Sequence, residues 1–129
     1  MRVMEKFLFL GIGGFTGTLG RYLVSLILMN LSPKFFYLAT LMVNLSGSLL
    51  IGFISALFLK ETFLHPGYRL FFITGVLGGF TTFSSFSIEL LKLIQEERFL
   101  ECALYFFIST AGGLAMAALG WQVSLFLTD

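Results

Sequence analysis

Residues 75–89 read GVLGGFTTFSSFSIE and lie in the middle of an apolar segment, residues 70–91. A transmembrane helix needs about 20 mostly apolar residues, so this segment is long enough to cross a membrane. At its midpoint, however, the adjacent glycines Gly78 and Gly79 precede two β-branched threonines, and these residue types are poor helix formers. We therefore predict that the segment is a transmembrane helix that is broken near its middle.

The rest of the chain is also apolar. Of its 129 residues, 57% are hydrophobic and 12% are charged, which is about half of the charged fraction of a typical soluble domain. The four predicted spans cover residues 7–28, 35–59, 70–91 and 102–127, and the predicted connections are residues 30–33, 61–68 and 95–98. We predict an all-α integral membrane protein in which residues 1–129 form a single four-helix domain. Arg21 interrupts the first apolar run, so we interpret that run as a retained helix rather than a signal peptide.

The composition excludes several classes of protein. A single Cys and a single His exclude a disulfide framework and a metal site built from several Cys or His side chains. The net charge of +1 gives no electrostatic basis for binding nucleic acid. Because the predicted spans also contain no nucleophile–base pair and no cluster of acids, we predict that the protein is not an enzyme.

Positive charges near the membrane surface do not favour one orientation of the chain. Four Lys and Arg residues fall on the side of both termini, against four on the other side, or three without Arg21. Because Lys and Arg in short loops set the orientation, this balance permits insertion in both directions and an antiparallel dimer. The alternative, a single orientation that the first helix decides alone, also remains open.

Arg21 in the first span and Asn44 in the second are polar side chains that lie at membrane depth. Arg21 follows a stripe of glycines on helix 1. A charged side chain at the bilayer centre costs about 2.5 kcal/mol or more, so we expect Arg21 to reach the membrane surface, to pair with a carboxylate or to face water. Asn44 lies well inside the second span, where its amide requires hydrogen-bond partners. It either bonds to a neighbouring helix or donates to a passing ion.

Polar and aromatic residues after the predicted break fall on two neighbouring stripes of the third span. Thr82, Ser85 and Glu89 share one stripe, and Phe83 and Phe86 lie on the next. Hydroxyl groups and the positive edges of aromatic rings suit a small anion that has lost its water shell. Backbone carbonyls freed by a break suit a monovalent cation. The competing interpretation is ordinary packing, with each hydroxyl bonded to the carbonyl four residues before it.

Three motifs together resemble the Fluc (CrcB) family, the small fluoride channels of microorganisms. They are GFTGTLGRY at residues 14–22, TLMVNLSG at residues 40–47 and GGFTTFSSF at residues 78–86. Ala39 stands where the family pattern usually has Gly, and Ser85 stands where Thr is common but keeps the hydroxyl. The resemblance implies an antiparallel, dual-topology homodimer with two passive pathways that select fluoride over chloride. It also implies a multi-pass protein of the bacterial inner membrane.

The resemblance further implies roles for individual residues. The residues that would line the fluoride pathway are Asn44, Phe83, Phe86, Thr82, Ser85, Tyr105 and Ser109, with Thr110 as a further candidate. Arg21 would contribute positive charge near the vestibule, and Glu89 would lie towards a pore mouth. The backbone carbonyls of Gly78 and Thr81 from both subunits would hold a structural Na⁺ at the dimer interface.

Two other functions compete with this interpretation. Small multidrug and guanidinium exporters are also short four-helix chains in dual-topology dimers, but they depend on a carboxylate in the middle of helix 1. Here Glu5 precedes the membrane and Glu89 lies towards the end of helix 3, which argues against proton-coupled export of cationic compounds. A purely structural helix bundle would not explain why polar and aromatic side chains converge around a central break.

Overall fold

A computed structural model describes residues 1–31, 33–60 and 65–128 of the chain. Within these residues, four helical segments are long and apolar enough to cross a membrane, namely Val3–Asn30, Leu38–Leu59, Pro66–Gln95 and Phe99–Thr128. The predicted all-α architecture with four spans is therefore confirmed. Two of the predicted connections, residues 30–33 and 61–68, fall partly outside the described residues.

The third span consists of several consecutive segments and follows α1 (Val3–Leu31) and α2 (Leu38–Lys60). It begins with α3 (Pro66–Arg69), a π-helix (Leu70–Leu77) and α4 (Gly78–Phe80). Thr81 (φ −79°, ψ 156°) and Thr82 (φ −151°, ψ 123°) are then extended, and α5 (Phe83–Gln95) begins directly after them. The fourth span is α6 (Phe99–Thr128).

The helices extend beyond the predicted spans at every end except the start of α2. There Pro33–Phe35 form a short 3₁₀ turn, so α2 begins at Leu38 rather than at residue 35. Hydropathy marks only the part of a helix that lies in hydrocarbon, whereas backbone hydrogen bonds continue the helix into the more polar membrane boundary. The apolar windows therefore located the spans but not their ends.

Helix pairs in this protein approach each other through glycine, as expected where close van der Waals packing holds helices together in lipid. α1 lies against the π-helix, and a Cβ added to Gly17 would collide with the backbone carbonyl of Val76. α2 lies against α6, and a Cβ added to Gly52 would collide with the backbone carbonyl of Ala117. Both helix pairs thus bring their backbones into direct contact.

Candidate functional site

Asn44 of α2 binds the extended residue Thr82 through both functions of its amide. The Thr82 N–H donates to Asn44 Oδ1 at 2.8 Å, and Asn44 Nδ2 donates to the Thr82 carbonyl at 3.0 Å. Extended residues inside a helix lose the regular helical hydrogen bonds, and an unpaired backbone group is costly in lipid. The Asn44 amide therefore supplies the partners that Thr82 lacks.

The side chain of Thr82 starts the next helix. Its Oγ1 accepts a hydrogen bond from the Ser85 N–H at 3.2 Å, which is the usual geometry of a helix N-cap. The same oxygen lies 3.2 Å from the hydroxyls of both Ser84 and Ser85. Three hydroxyl groups are thus gathered where α5 begins, and Thr82 itself is buried.

A cavity of about 270 Å³ lies between α1, α2 and the start of α5, and we call it the polar cavity. Every described residue that lines it is polar. They are Thr18, Arg21, Tyr22, Ser25, Thr40, Thr82, Ser85 and Glu89. The structure therefore brings together four of the predicted site residues, namely Arg21, Thr82, Ser85 and Glu89.

Besides Thr40 on α2, three lining residues of the polar cavity were not predicted as site residues, and all three are on α1: Thr18, Tyr22 and Ser25. With Arg21 they occupy positions i, i+3, i+4 and i+7, so they share one face of the helix. This helical spacing is present in the sequence and was the signal that could have identified them. Only Arg21, the charged member of the stripe, was predicted as a site residue.

A second cavity, of about 300 Å³, shares Thr82 with the polar cavity. Its lining residues are Asn44, Gly47, Ser48, Ile51, Thr81, Thr82 and Phe83. Thr82 is therefore common to both cavities, and its hydrogen-bonded partner Asn44 lines the second. The second cavity also brings Asn44 and Phe83, two predicted pathway residues, to one place.

Glu89 is held by hydroxyl donors from two other helices. Thr40 Oγ1 donates to Oε1 at 2.8 Å, and the Tyr105 hydroxyl donates to Oε2 at 2.7 Å. Tyr105 is only 2% exposed, so it is a buried partner of Glu89 and does not line the polar cavity. Both carboxylate oxygens are therefore fixed while the side chain still reaches the cavity.

The two predicted pathway phenylalanines have different environments. The rings of Phe83 and Phe86 lie next to each other, with centroids 5.7 Å apart. Phe86 is 4% exposed and its ring packs edge-on against Tyr105 at 5.1 Å, whereas Phe83 is 78% exposed. Phe86 is therefore part of the packed interior of the chain, and Phe83 presents its ring to the surroundings.

Four further predicted residues remain. Gly78, Ser109 and Thr110 line neither cavity, whereas Thr81 lines the second. The Ser109 hydroxyl is buried and has no hydrogen-bond partner among the described residues. Thr110 is exposed and its hydroxyl bonds back to the Phe106 carbonyl at 2.8 Å. Gly78 is also exposed, and the Thr81 hydroxyl bonds to the Leu77 carbonyl at 2.8 Å.

Comparison with known proteins identifies the family. Residues 8–121 match the family of CrcB-like proteins, Camphor Resistance (CrcB). The chain is 48% identical to the fluoride-specific ion channel FluC of Chlorobium chlorochromatii (88% of this chain, 87% of the relative). It is 46% identical to the fluoride-specific ion channel FluC 1 of Moorella thermoacetica (84% of this chain, 77% of the relative). It is 41% identical to the fluoride-specific ion channel FluC of Helicobacter pylori (89% of this chain, 89% of the relative).

The match covers all three motifs on which the predicted resemblance depends, so that prediction is confirmed. The bacterial relatives and the four described apolar helices also confirm the prediction of a multi-pass bacterial membrane protein. The chain therefore belongs to the CrcB family.

Proposed function

We propose that this chain forms a passive channel that selects fluoride and lets it leave the cytoplasm. Its relatives named above are called fluoride-specific ion channels, and the similarity extends over most of the chain. The observation that supports this function best is the polar cavity, which is lined only by polar described residues and contains Arg21. Because these relatives are named ion channels, the proposed activity is transport of an ion rather than catalysis.

The chemistry of the polar cavity suits a small, strongly hydrated anion. Such an ion leaves water only where several donors replace its hydration shell together. Arg21 supplies a positive charge, and the Ser85 hydroxyl, which accepts from Thr82 Oγ1, supplies a neutral donor. The hydroxyls of Ser25 and Thr18 donate to the backbone carbonyls of Arg21 and Gly79 and would have to turn to meet an ion. Conduction also requires that the ion leave again, and neutral donors bind an anion less tightly than a ring of charges would.

The negative charge of Glu89 is already engaged within the protein. Its two oxygens accept hydrogen bonds from Thr40 and Tyr105, so two hydroxyl dipoles point towards the carboxylate. This arrangement disperses the negative charge and reduces its repulsion of an anion near Arg21. We propose that Glu89 marks the mouth of the pathway and that Asn44, Phe83, Phe86 and Ser109 line its inner part.

We propose that the working unit is an antiparallel homodimer with two pathways. The nearly balanced distribution of Lys and Arg permits both orientations in the membrane. Phe83 supports the dimer as well, because its ring is 78% exposed although the residue lies beside the Asn44 and Thr82 pair. A ring in that position can complete a pathway in the second copy.

We further propose that the interruption of the third span serves a structural Na⁺ at the dimer interface. The donor set consists of the backbone carbonyls of Gly78 and Thr81, and oxygen ligands of this kind suit Na⁺. Gly78 is exposed on the single chain, and the ψ of 156° turns the Thr81 carbonyl away from the helical direction. These residues therefore fit the ion, which would supply a fixed positive charge between the two copies.

Fluoride efflux from liposomes that contain the purified protein tests the function directly. A fluoride electrode should record rapid release from fluoride-loaded liposomes, while a chloride electrode records none from chloride-loaded ones. Protein-free liposomes are the control for leakage. A well-folded protein that releases no fluoride would contradict the proposal, and cationic compounds under a proton gradient would then be the next substrates to test.

The dual orientation has a separate test. Gln95 begins the third predicted connection, residues 95–98, and is exposed, so Gln95→Cys in a Cys102→Ala background gives a single accessible thiol and leaves the balance of Lys and Arg unchanged. An impermeant maleimide added outside the cells should label about half of the chains, because each orientation places this connection on a different side. Complete labelling or no labelling would show a single orientation.

The Na⁺ site has its own test as well. Purification in N-methylglucamine instead of Na⁺ should lower both the dimer fraction and the fluoride efflux, and returning Na⁺ should restore them. The control is the same exchange with K⁺ returned in place of Na⁺. Equal dimer fraction and efflux in all three solutions would contradict a structural Na⁺.

A further inference from the structure

An ionic network at one membrane boundary lies next to the buried partner of Glu89. Arg98, in the connection before α6, donates from Nε to Glu101 Oε1 at 3.0 Å and from Nη2 to Glu101 Oε2 at 2.6 Å. The Tyr37 hydroxyl, from the connection before α2, donates to the same Oε2 at 2.7 Å. Arg98 also bonds to the backbone carbonyl of Lys34 at 3.2 Å. The network therefore joins two connections that are 64 residues apart in sequence.

The charges and burial of this network keep Tyr37 in one place. Burial and the hydrogen bond to Glu101 raise the pKa of Tyr37 to about 12, so its hydroxyl remains a donor at neutral pH. The hydrogen bonds to Glu101 and Glu96 raise the pKa of Arg98 above its usual range, and it remains a cation. Tyr37 is 8% exposed, which leaves its ring little room to move.

The ring of Tyr37 connects this network to the proposed pathway. Its centroid lies 5.0 Å from that of Tyr105, with a tilt of 37° between the rings. Tyr105 in turn donates its hydroxyl to Glu89, and Glu89 lines the polar cavity. Two tyrosine rings in contact thus link a carboxylate at the membrane boundary, Glu101, to the carboxylate at the cavity, Glu89.

We propose that Tyr37, fixed by Arg98 and Glu101, is a positioning residue for Tyr105 and through it for Glu89. The Tyr105 ring packs between neighbours that include Tyr37 and Phe86, so loss of the Tyr37 ring removes one wall of its site. The hydroxyl of Tyr105 then no longer stays at Glu89, and one oxygen of that carboxylate loses its donor. The effect on fluoride flux rests on the proposed function, whereas the effect on Tyr105 does not.

A double-mutant cycle tests the effect on flux. Tyr37→Leu should lower fluoride efflux per folded protein by about fivefold or more, in the range of coupling between side chains in contact. Tyr37→Phe keeps the ring and should retain at least about half of the efflux, as a conservative rescue. In a Tyr105→Phe background, which already lacks the hydroxyl donor to Glu89, Tyr37→Leu should change efflux by less than about twofold.

The outcome of the cycle separates positioning from simple loss of stability. If Tyr37→Leu lowers efflux by the same factor in both backgrounds, it does not act through Tyr105, and the proposal is wrong. If Tyr37→Leu does not fold, Tyr37→Met replaces it in the same cycle, because it also removes the ring that packs against Tyr105 while keeping a long, adaptable apolar side chain. Equal factors for that variant in the two backgrounds would overturn the proposal as well.

A spectroscopic measurement does not depend on transport. The protein labelled with 3-fluorotyrosine should show a Tyr105 resonance, assigned with Tyr105→Phe, that shifts or splits in Tyr37→Leu. The resonance of Tyr68, an exposed residue of α3, is the internal control and should not move. An unchanged Tyr105 resonance overturns the positioning role, even if fluoride efflux falls. Conversely, if the Tyr105 resonance moves in Tyr37→Leu although the wild-type protein passes no fluoride, the positioning role is supported and the proposed function is rejected.

Discussion

The amide of Asn44 forms two hydrogen bonds with the backbone of a single residue, Thr82. The carbonyl oxygen of the amide accepts at 2.8 Å and the nitrogen donates at 3.0 Å, so it imitates the neighbouring strand of a sheet. The sequence left open whether this amide joins helices or serves an ion. The structure shows the first role, and the second N–H of the Asn44 nitrogen remains as the donor that the proposed pathway needs.

We expect Asn44→Ala to weaken the fold as well as transport. The substitution leaves one N–H and one carbonyl of the extended Thr82 without these partners, and each unsatisfied group costs about 1–3 kcal/mol. The variant should unfold at a lower temperature in detergent and show little fluoride efflux. Ser46→Ala is the matched control, because Ser46 is on the same helix and its exposed hydroxyl bonds only to α2 carbonyls. An Asn44→Ala variant with wild-type thermal stability would contradict this role.

Asn44→Asp separates the two hydrogen bonds. It keeps the oxygen that accepts from the Thr82 N–H but places a second oxygen opposite the Thr82 carbonyl, where two acceptors repel. We expect a loss of stability at pH 8 that is comparable to that of Asn44→Ala. Thermal unfolding at pH 8 measures this, and the result is contradicted if Asn44→Asp is as stable as the wild type.

Glycines that bring helix backbones together should tolerate no side chain. A Cβ added to Gly120 of α6 would collide with the carbonyl of Leu49 on α2, and backbone atoms cannot move aside cheaply. Gly120→Ala should therefore lower the yield of folded protein and the unfolding temperature. Gly11→Ala is the control because open space surrounds that position in the chain, and the better helix propensity of Ala should leave stability unchanged or slightly raised. Equal yields for both variants would contradict the backbone contact between α2 and α6.

Much of the site could be predicted from local patterns, and the parts that could not are those formed by distant residues. Apolar windows located the four spans, and Thr82, Ser85 and Glu89, which their spacing puts on one stripe of a helix, line one cavity in the structure. Tyr37 and Glu101 lie 64 residues apart, and no periodicity within one helix can pair them. The π-helix was not predicted either, because its sequence, LFFITGVL, is typical of any apolar membrane span.

The burial of Tyr37 and its hydrogen bond to Glu101 should make the stability of the protein depend on alkaline pH. Its pKa is 10.0 in the reference state and about 12 in the folded protein, so the folded state favours the neutral phenol. The resulting stabilisation is complete below pH 10 and is lost as the pH rises from 10 to 12. Wild type should therefore exceed Tyr37→Phe in unfolding temperature at pH 9, and the difference should shrink at pH 11.5. A difference that stays constant between these pH values would contradict the shift.

The two phenylalanines of the proposed pathway should separate stability from transport. Phe86 is buried against Tyr105, and replacing a buried Phe by Ala costs about 3–5 kcal/mol, so Phe86→Ala should lower both the unfolding temperature and efflux. Phe83 is 78% exposed, so Phe83→Ala should retain the stability of the chain yet pass little fluoride. Replacing both residues by Ile keeps apolar volume but removes the aromatic edges, and we expect it to abolish efflux from a protein that still folds.

Phe107→Ala is the control for Phe83→Ala, because Phe107 is exposed to a similar extent on α6 and lines neither cavity. It should keep wild-type efflux and stability. If Phe83→Ala also keeps wild-type efflux, the exposed ring is not part of an ion path. Its position beside the Asn44 and Thr82 pair would then reflect packing against lipid or against a second copy. Measuring efflux and the dimer fraction on the same preparations distinguishes these two explanations, because only packing against a second copy makes the dimer fraction fall in Phe83→Ala.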